Sequence, residues 1–150
     1  MTNASFGHSV PIVNDKFQKY GENYAARDVM VGDNMFSLDI GGAYEEGLVD
    51  KLQRTFVIQN DRIILTDSVC ASNEIRMVER FISKIKPDIK DGYIDLQCAQ
   101  ILFDASRFVA SLKKDGYKRH SNTDEITVYL IDFEPIQNNE SEFRCEIIIK

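Results

Sequence analysis

His8 has the sequence setting that most suggests chemistry. It is one of two histidines in the chain, and it stands between Gly7 and a short apolar run that starts at Val10. An imidazole titrates near neutral pH and is a common zinc ligand, so proton transfer and metal binding are both conceivable roles. A zinc site needs several ligands, and one histidine cannot complete it. The alternative is a histidine at the start of a strand that makes local hydrogen bonds and is at least partly exposed.

Two further sets of residues have side chains suited to binding a sugar. Gln18, Tyr20 and Tyr24 follow His8 and offer hydrogen bonds and aromatic stacking. The other set is the main basic cluster, in which cations surround an aromatic ring and could hold an acidic glycan. The plainer alternatives are edge contacts for the first set and a solvated hairpin tip for the second. The basic cluster comprises Lys113, Lys114, Tyr117, Lys118 and Arg119, with His120 next to it.

Three carboxylates lie within apolar runs. No partner is fixed by spacing for Asp39, Asp67 or Glu79, so we expect them to be charges on a sheet surface. Ser5, Ser9 and His8 do not form a hydrolase triad, because no acid at a fixed offset and no nucleophile elbow accompanies them. The sequence therefore predicts no catalytic residue.

Composition limits the class of protein. The chain has 150 residues, of which 43% are hydrophobic, which predicts a single domain, 1–150, with its own core. A net charge of -6 argues against nucleic acid and anionic membranes as partners. The sequence shows no signal peptide and no apolar run long enough to cross a bilayer. Its three cysteines lack CxxC spacing, so we expect buried or half-buried thiols and a weak preference for the cytoplasm.

Apolar residues mostly recur with a period of two, which indicates strands. The clearest hairpin joins a strand at 49–59 to a strand at 62–69 through Asn60 and Asp61, a favoured turn pair. A first strand is predicted over 9–13, and Gly32 to Asn34 breaks another hairpin. Roughly ten short strands separated by turns predict an all-β fold, an antiparallel β-sandwich.

Three segments are less clear. Over 72–86, apolar residues fit both a helix ended by Pro87 and one face of a strand. Phe108 to Leu112 fits either a helical turn or a strand. Lys113 to Asp124 is interpreted as a polar connection that leads to a strong strand from Ile126 to Phe133.

Three stretches together resemble the C-terminal β-domain of the heparinase II/III-like polysaccharide lyases. In SFGHSVPIVNDKFQ (5–18), a histidine precedes an apolar strand, a small turn and a glutamine. The second, FSLDIGGAYEEGLVDKLQRTFVIQNDRIILTDSV (36–69), is similar to the family's succession of strand, Ala-Tyr loop, Leu-x-Arg strand, turn and apolar strand. The third, VERFISKIKPDI (78–89), resembles a strand that leads to a proline, which favours a strand over 75–85.

The resemblance implies that the chain is the C-terminal part of a larger protein. Family members combine an α/α toroid with β-domains and cleave uronate-containing polysaccharides by β-elimination. Most catalytic groups belong to the toroid, so this chain is expected to be inactive alone, with an acidic polysaccharide and the missing toroid as partners. His8 matches a zinc ligand of the family, which implies zinc in the complete protein and no cofactor in this chain alone. Self-association through a surface left open is also expected. The alternative is a non-catalytic carbohydrate-binding or structural β-sandwich.

Overall fold

Two antiparallel sheets pack face to face in the computed structural model, which describes residues 5–118 and 125–150. The strands are β1 (Ile12–Val13), β2 (Arg27–Val31), β3 (Met35–Asp39), β4 (Lys51–Ile58), β5 (Arg62–Cys70), β6 (Met77–Ser83), β7 (Asp88–Lys90), β8 (Tyr93–Asp95), β9 (Ala99–Phe103), β10 (Phe108–Lys118), β11 (Glu125–Pro135) and β12 (Glu142–Ile149), with short 3-10 helices at Ser5–Gly7 and Gly41–Ala43.

The four-stranded sheet has the order β1-β6-β11-β10, and the eight-stranded sheet has the order β2-β3-β4-β5-β12-β9-β8-β7. The predicted all-β sandwich is confirmed. None of the described helices is long and apolar enough to cross a membrane.

The β4–β5 hairpin follows its sequence signal. Ile58 pairs with Ile63 next to the turn, and the Gln59 N–H donates to the Arg62 carbonyl oxygen at 2.8 Å. Because side chains alternate between faces, this register places Leu52 of β4 and Leu65 of β5 in the core. The predicted hairpin is confirmed.

β6 is a strand, as the resemblance favoured and periodicity alone did not. It pairs with β11 over Ser83 to Glu79 and with β1 at Met77 and Val78. Two neighbouring strands satisfy its backbone groups, so tertiary pairing overrides the helical spacing of its apolar residues.

Two expected boundaries are wrong. β10 continues to Lys118, with every residue paired to β11, so Lys113 does not begin a polar connection. The first strand is shorter than expected, because β1 begins at Ile12 and His8 to Val10 form bends. In both cases pairing with the neighbouring strand sets the boundary, and polarity does not.

Aromatic rings form the centre of the core between the sheets. The Phe133 ring on β11 lies 5.0 Å from the Phe103 and Phe143 rings of the larger sheet, centroid to centroid. Its own side chain is 0% exposed, so these contacts are fully shielded from water. Edge-to-face and tilted aromatic pairs of this kind add to the hydrophobic contribution of burial.

The cysteines only partly match expectation. Cys145 of β12 is buried, but Cys70 and Cys98 are exposed. Cys70 ends β5, and Cys98 lies in the turn between β8 and β9, where the sandwich no longer covers side chains. The prediction of buried or half-buried thiols is therefore wrong for those two. All three are free thiols.

β2 is an edge strand whose five residues are all exposed. Its pairing with β3 shifts register between Arg27 and Met30, and Asp28 adopts a left-handed conformation with φ of 52°. Asp tolerates this region better than most residues. Near this bulge, Val29, Val31, Phe36 and Ile58 form an exposed apolar strip, and Met30 is exposed on the opposite face of β2.

Candidate functional site

Residues 5–19, here called the N-terminal strap, lie along the edge of the smaller sheet. The Gln18 N–H donates to the Ser5 hydroxyl oxygen at 2.7 Å, so the two ends of the strap are tied together. The Asn14 N–H donates to the Arg76 carbonyl oxygen at 2.9 Å, next to the β1–β6 pairing. His8 lies in the strap between the first 3-10 helix and β1, and it is exposed.

Strand register places Lys113, at the midpoint of β10, level with the Ile82 end of β6, where His8 and Ser9 of the strap lie. Lys113 pairs with Leu130, and Leu130 pairs with Ile82. The Ile82 N–H in turn donates to the Ser9 hydroxyl oxygen at 3.1 Å. One line across the sheet therefore runs from β10 through β11 and β6 to the strap. We call the region along this line the basic end. Its described basic side chains are those of His8, Lys84, Lys113 and Lys114, and Asp115 lies next to Lys114 in β10.

The lysines of the basic end differ from most described arginines in having no acidic partner. Lys84, Lys113 and Lys114 are exposed, and none forms an ion pair with another described residue. By contrast, Arg76 is paired with Glu134 at 2.6 Å, which neutralises it locally. The basic end thus presents uncompensated positive charge on a protein with a net charge of -6.

The other predicted binding residues are not all at this end. Gln18 is half-buried in the strap, and Tyr20 is 73% exposed. The backbone of Tyr117 and Lys118 belongs to β10, but their side chains, and all of Arg119, lie outside the described residues. The predicted binding roles remain predictions.

Tyr24 lines a separate groove of about 420 Å³ beside the Gly41–Gly47 loop. Gly42 forms part of its floor, and a Cβ there would lie 2.6 Å from the Ala25 carbonyl oxygen, so only glycine fits. The exposed carboxylates of Glu45 and Glu46 line the same groove, while no lysine of the basic end does. Arg27, which is paired with Asp39, also lines the groove, and Lys19 lies 3.9 Å from Glu45, so the groove carries charges of both signs.

Asp39 organises the backbone beside this groove. Its Oδ1 accepts from the Gly41 N–H at 2.8 Å and from the Leu52 N–H at 3.0 Å, and its Oδ2 accepts from Arg27 at 2.7 Å. Burial opposes ionisation, but these hydrogen bonds outweigh it and lower the pKa of Asp39. Asp39 is 2% exposed, so the expectation that it is a sheet-surface charge is wrong.

Asp67 and Glu79 are also buried, at 0% and 1% exposure, and both contact Arg54. Arg54 pairs with Asp67 across β4 and β5, and its Nε donates to Asp67 Oδ1 at 2.8 Å. Its Nη2 donates to Asp67 Oδ2 and, at 2.9 Å, to Glu79 Oε1 of the facing sheet. These three residues, here called the interior charge cluster, join the two sheets.

A sequence signal for the cluster existed. Arg54 lies between Leu52 and Phe56, Asp67 between Leu65 and Val69, and Glu79 between Met77 and Phe81. Each charge takes a core position in a period-two apolar pattern, and charges at core positions are rarely fully buried unless they are paired. Two acids and one arginine at such positions predict a buried ionic contact.

The described residues do not fit a zinc site. They contain no group of three His, Cys, Asp or Glu side chains placed to hold a metal ion. His8 is exposed, and the carboxylates of the interior charge cluster accept hydrogen bonds from Arg54. The assignment of His8 as a ligand in a complete protein remains a prediction.

The two-sheet antiparallel sandwich is similar to part of known polysaccharide lyases. A structure of heparan sulfate lyase HepC from Pedobacter heparinus matches with a TM-score of 0.60 and 12% identity. A mutant of the same enzyme matches with a TM-score of 0.55 and 13% identity. Both matches cover 95% of this chain and 24% of the lyase chain, so this chain spans about a quarter of their length. No protein-family model and no curated protein matches the sequence. At such identity the similarity shows a related fold.

Proposed function

We propose that this chain is the C-terminal β-sandwich domain of a heparinase II/III-like lyase and that it binds an acidic polysaccharide at the basic end. The observation that carries this proposal is the row of lysines across the smaller sheet, level with the Ile82 end of β6, that form no ion pair with another described residue. The related fold of heparan sulfate lyase HepC supports a polysaccharide as the ligand. β-Elimination of uronate polymers would belong to the complete enzyme, with the toroid as partner and zinc, if present, outside the described residues.

The chemistry of the basic end suits binding better than elimination. Elimination requires a base and an acid within hydrogen-bond reach of the same sugar, held by other groups. Lys113 and Lys114 lie on adjacent positions of β10 and therefore point to opposite faces of the strand. Flexible ammonium groups attract carboxylates and sulfates but do not fix a proton-transfer geometry. The isolated domain is accordingly proposed to be inactive.

The second candidate is a non-catalytic carbohydrate-binding or structural module. The groove beside Tyr24 favours it, because an aromatic ring next to charges of both signs suits a neutral sugar better than a uronate. The two candidates differ in ligand charge. A lyase domain should prefer polyanions with an affinity that falls with salt, whereas a module acting through the groove should bind uncharged sugars with little salt dependence.

The test is heparan sulfate and alginate binding by calorimetry, comparing Lys113→Ala/Lys114→Ala with Lys16→Ala/Lys51→Ala. Both double variants lose two exposed positive charges, but the second pair lies away from the basic end. Because the two ammonium groups point to opposite faces of β10, a ligand on one face loses one contacting charge, which should weaken binding by up to about fivefold, and the control should bind as the wild type does. Equal weakening in both variants would refute the basic end as the site.

The proposed inactivity has its own assay. The chain is incubated with the same polymers, and the ultraviolet absorbance of unsaturated uronate products is followed. We expect no product from this chain alone. Turnover by the chain would contradict the proposal that the catalytic groups lie elsewhere.

A further inference from the structure

The interior charge cluster has more negative than positive groups. Asp67 and Glu79 have side chains that are 0% exposed, and the single cation between them, Arg54, is 8% exposed. Arg54 Nη2 contacts one oxygen of each carboxylate, so those two oxygens share one donor and lie close together. Two ionised carboxylates in this position would repel each other in a medium that screens charge poorly.

Among the described residues, no other charged side chain forms an ion pair with Asp67 or Glu79. Tyr44 and Cys145 are the other titratable groups that face the cluster, and burial raises the pKa of each, so both are uncharged near neutral pH. The Tyr44 hydroxyl donates to the Pro11 carbonyl oxygen at 2.6 Å and is committed there. Glu79 Oε2 is buried without a hydrogen-bond partner among the described residues. An ionised oxygen in that state costs more than a protonated carboxyl does, because a buried charge carries the larger desolvation penalty.

The cluster is also an anchor for the N-terminal strap. Arg54 Nη1 donates to the Ser9 carbonyl oxygen at 2.7 Å, one residue after His8. The Tyr44–Pro11 hydrogen bond lies two residues further along the strap. The position of the strap next to the basic end therefore depends on where the guanidinium group of Arg54 is held.

We propose that Asp67 and Glu79 share one proton and that the N-terminal strap stays bound at Ser9 only while this proton is present. With the proton present, the cluster is neutral and Arg54 is held between both carboxyl groups while it binds Ser9. When the proton is lost, the buried Glu79 carboxylate, repelled by Asp67 and with Oε2 unpartnered among the described residues, is stabilised by contact with water, and the strap detaches at Ser9 to admit it. This pH-dependent attachment of the strap does not depend on which sugar the protein binds.

The direction of the pH effect follows from the pKa of Glu79 in two states: the closed state, in which the strap is bound at Ser9, and the detached state, in which it is not. In the detached state Glu79 is solvated, with an ordinary pKa of about 4.3. In the closed state burial, and then the Asp67 charge, raise the pKa of Glu79. The closed state is therefore fully favoured below the ordinary pKa, and the advantage is lost as the pH rises toward the pKa of the closed state. Across that window the opening equilibrium constant rises by up to about tenfold per pH unit.

Amide hydrogen exchange of the strap provides the test. Protection of the Val10 and Asn14 amides is measured between neutral and alkaline pH and corrected for intrinsic exchange, for the wild type and for Glu79→Gln. Gln keeps the shape of the side chain and cannot ionise. Protection in the wild type should fall with pH, while Glu79→Gln should stay flat and be the better protected at alkaline pH. The control, Glu146→Gln, changes an ion pair with Arg62 in the other sheet, away from the strap, and should behave as the wild type does.

Parallel pH profiles in wild type and Glu79→Gln would overturn the proposal. Infrared spectroscopy of the wild type gives a second result that requires no variant. A carbonyl stretch of a protonated carboxylic acid should be present at neutral pH and should disappear over the same pH range in which strap protection is lost. Absence of that band at neutral pH would also overturn the proposal.

Discussion

Replacement of Arg54 by Met tests how the interior charge cluster contributes to stability. The guanidinium group donates to Asp67, Glu79 and the Ser9 carbonyl oxygen, and Met fills a similar volume without donating. Removing one partner of a buried ion pair costs about 3–5 kcal/mol, because the remaining charge is left without compensation. Domains of this size have a free energy of unfolding of about 5–15 kcal/mol. The substitution should therefore remove a large share of the total.

The free energy of unfolding is measured by urea denaturation followed by far-ultraviolet circular dichroism, since the chain contains no Trp. The deficit of Arg54→Met should be largest near pH 7 and smaller near pH 4, where protonation removes the orphaned carboxylate charges. Arg76→Met, which breaks the exposed pair with Glu134, is the matched control and should cost less than about 1 kcal/mol.

A triple variant separates the cost of an unpaired charge from the value of the cluster. Arg54→Met, Asp67→Leu and Glu79→Leu together leave no buried charge, and apolar replacement of buried ion pairs is often neutral or stabilising. The triple variant should therefore be more stable than Arg54→Met alone. Our reasoning would be refuted by a single-variant cost below about 1 kcal/mol, or by a triple variant no more stable than the single one.

Two further predictions concern the core and the Gly41–Gly47 loop. Phe133→Ala should lower the free energy of unfolding by about 3–5 kcal/mol in the same urea assay, because its ring lies between the Phe103 and Phe143 rings; a loss below about 1 kcal/mol would contradict the packing. Asp39→Asn should destabilise the protein at pH 7, and the difference in unfolding free energy from the wild type should shrink as the pH falls below about 4. The reason is that the pKa of Asp39 is lowered in the folded protein, so this carboxylate contributes stability only while it is ionised. A difference that does not change with pH would argue against the Arg27–Asp39 pair.

Much of the sheet structure could be predicted from the sequence because the signals are local. Asn60 and Asp61 fix the β4–β5 hairpin, and period-two alternation on both sides fixes which residues enter the core. The extent of β10 could not be obtained in this way. Lys113 to Lys118 are polar, and they form a strand because β11 offers a backbone partner for each of them.

The site was harder to predict because it depends on register between distant segments. His8 and Lys113 were separate candidates in the sequence, and only the pairing through Ile82 and Leu130 places them level with each other across a sheet. Tyr24 was grouped with His8 because it is near in sequence, yet it lines a groove near Gly42. The interior charge cluster was missed for a different reason: each charge was considered alone, although the period-two pattern placed all three at core positions.

The bulge in β2 has a consequence for the behaviour of the protein in concentrated solution. An exposed edge strand next to an apolar strip would ordinarily template growth by adding strands from other molecules. The register shift between Arg27 and Met30, with the left-handed Asp28 inside it, breaks the row of backbone groups that such a template needs. The bulge thus opposes fibre formation by strand addition at the exposed β2 edge of the larger sheet.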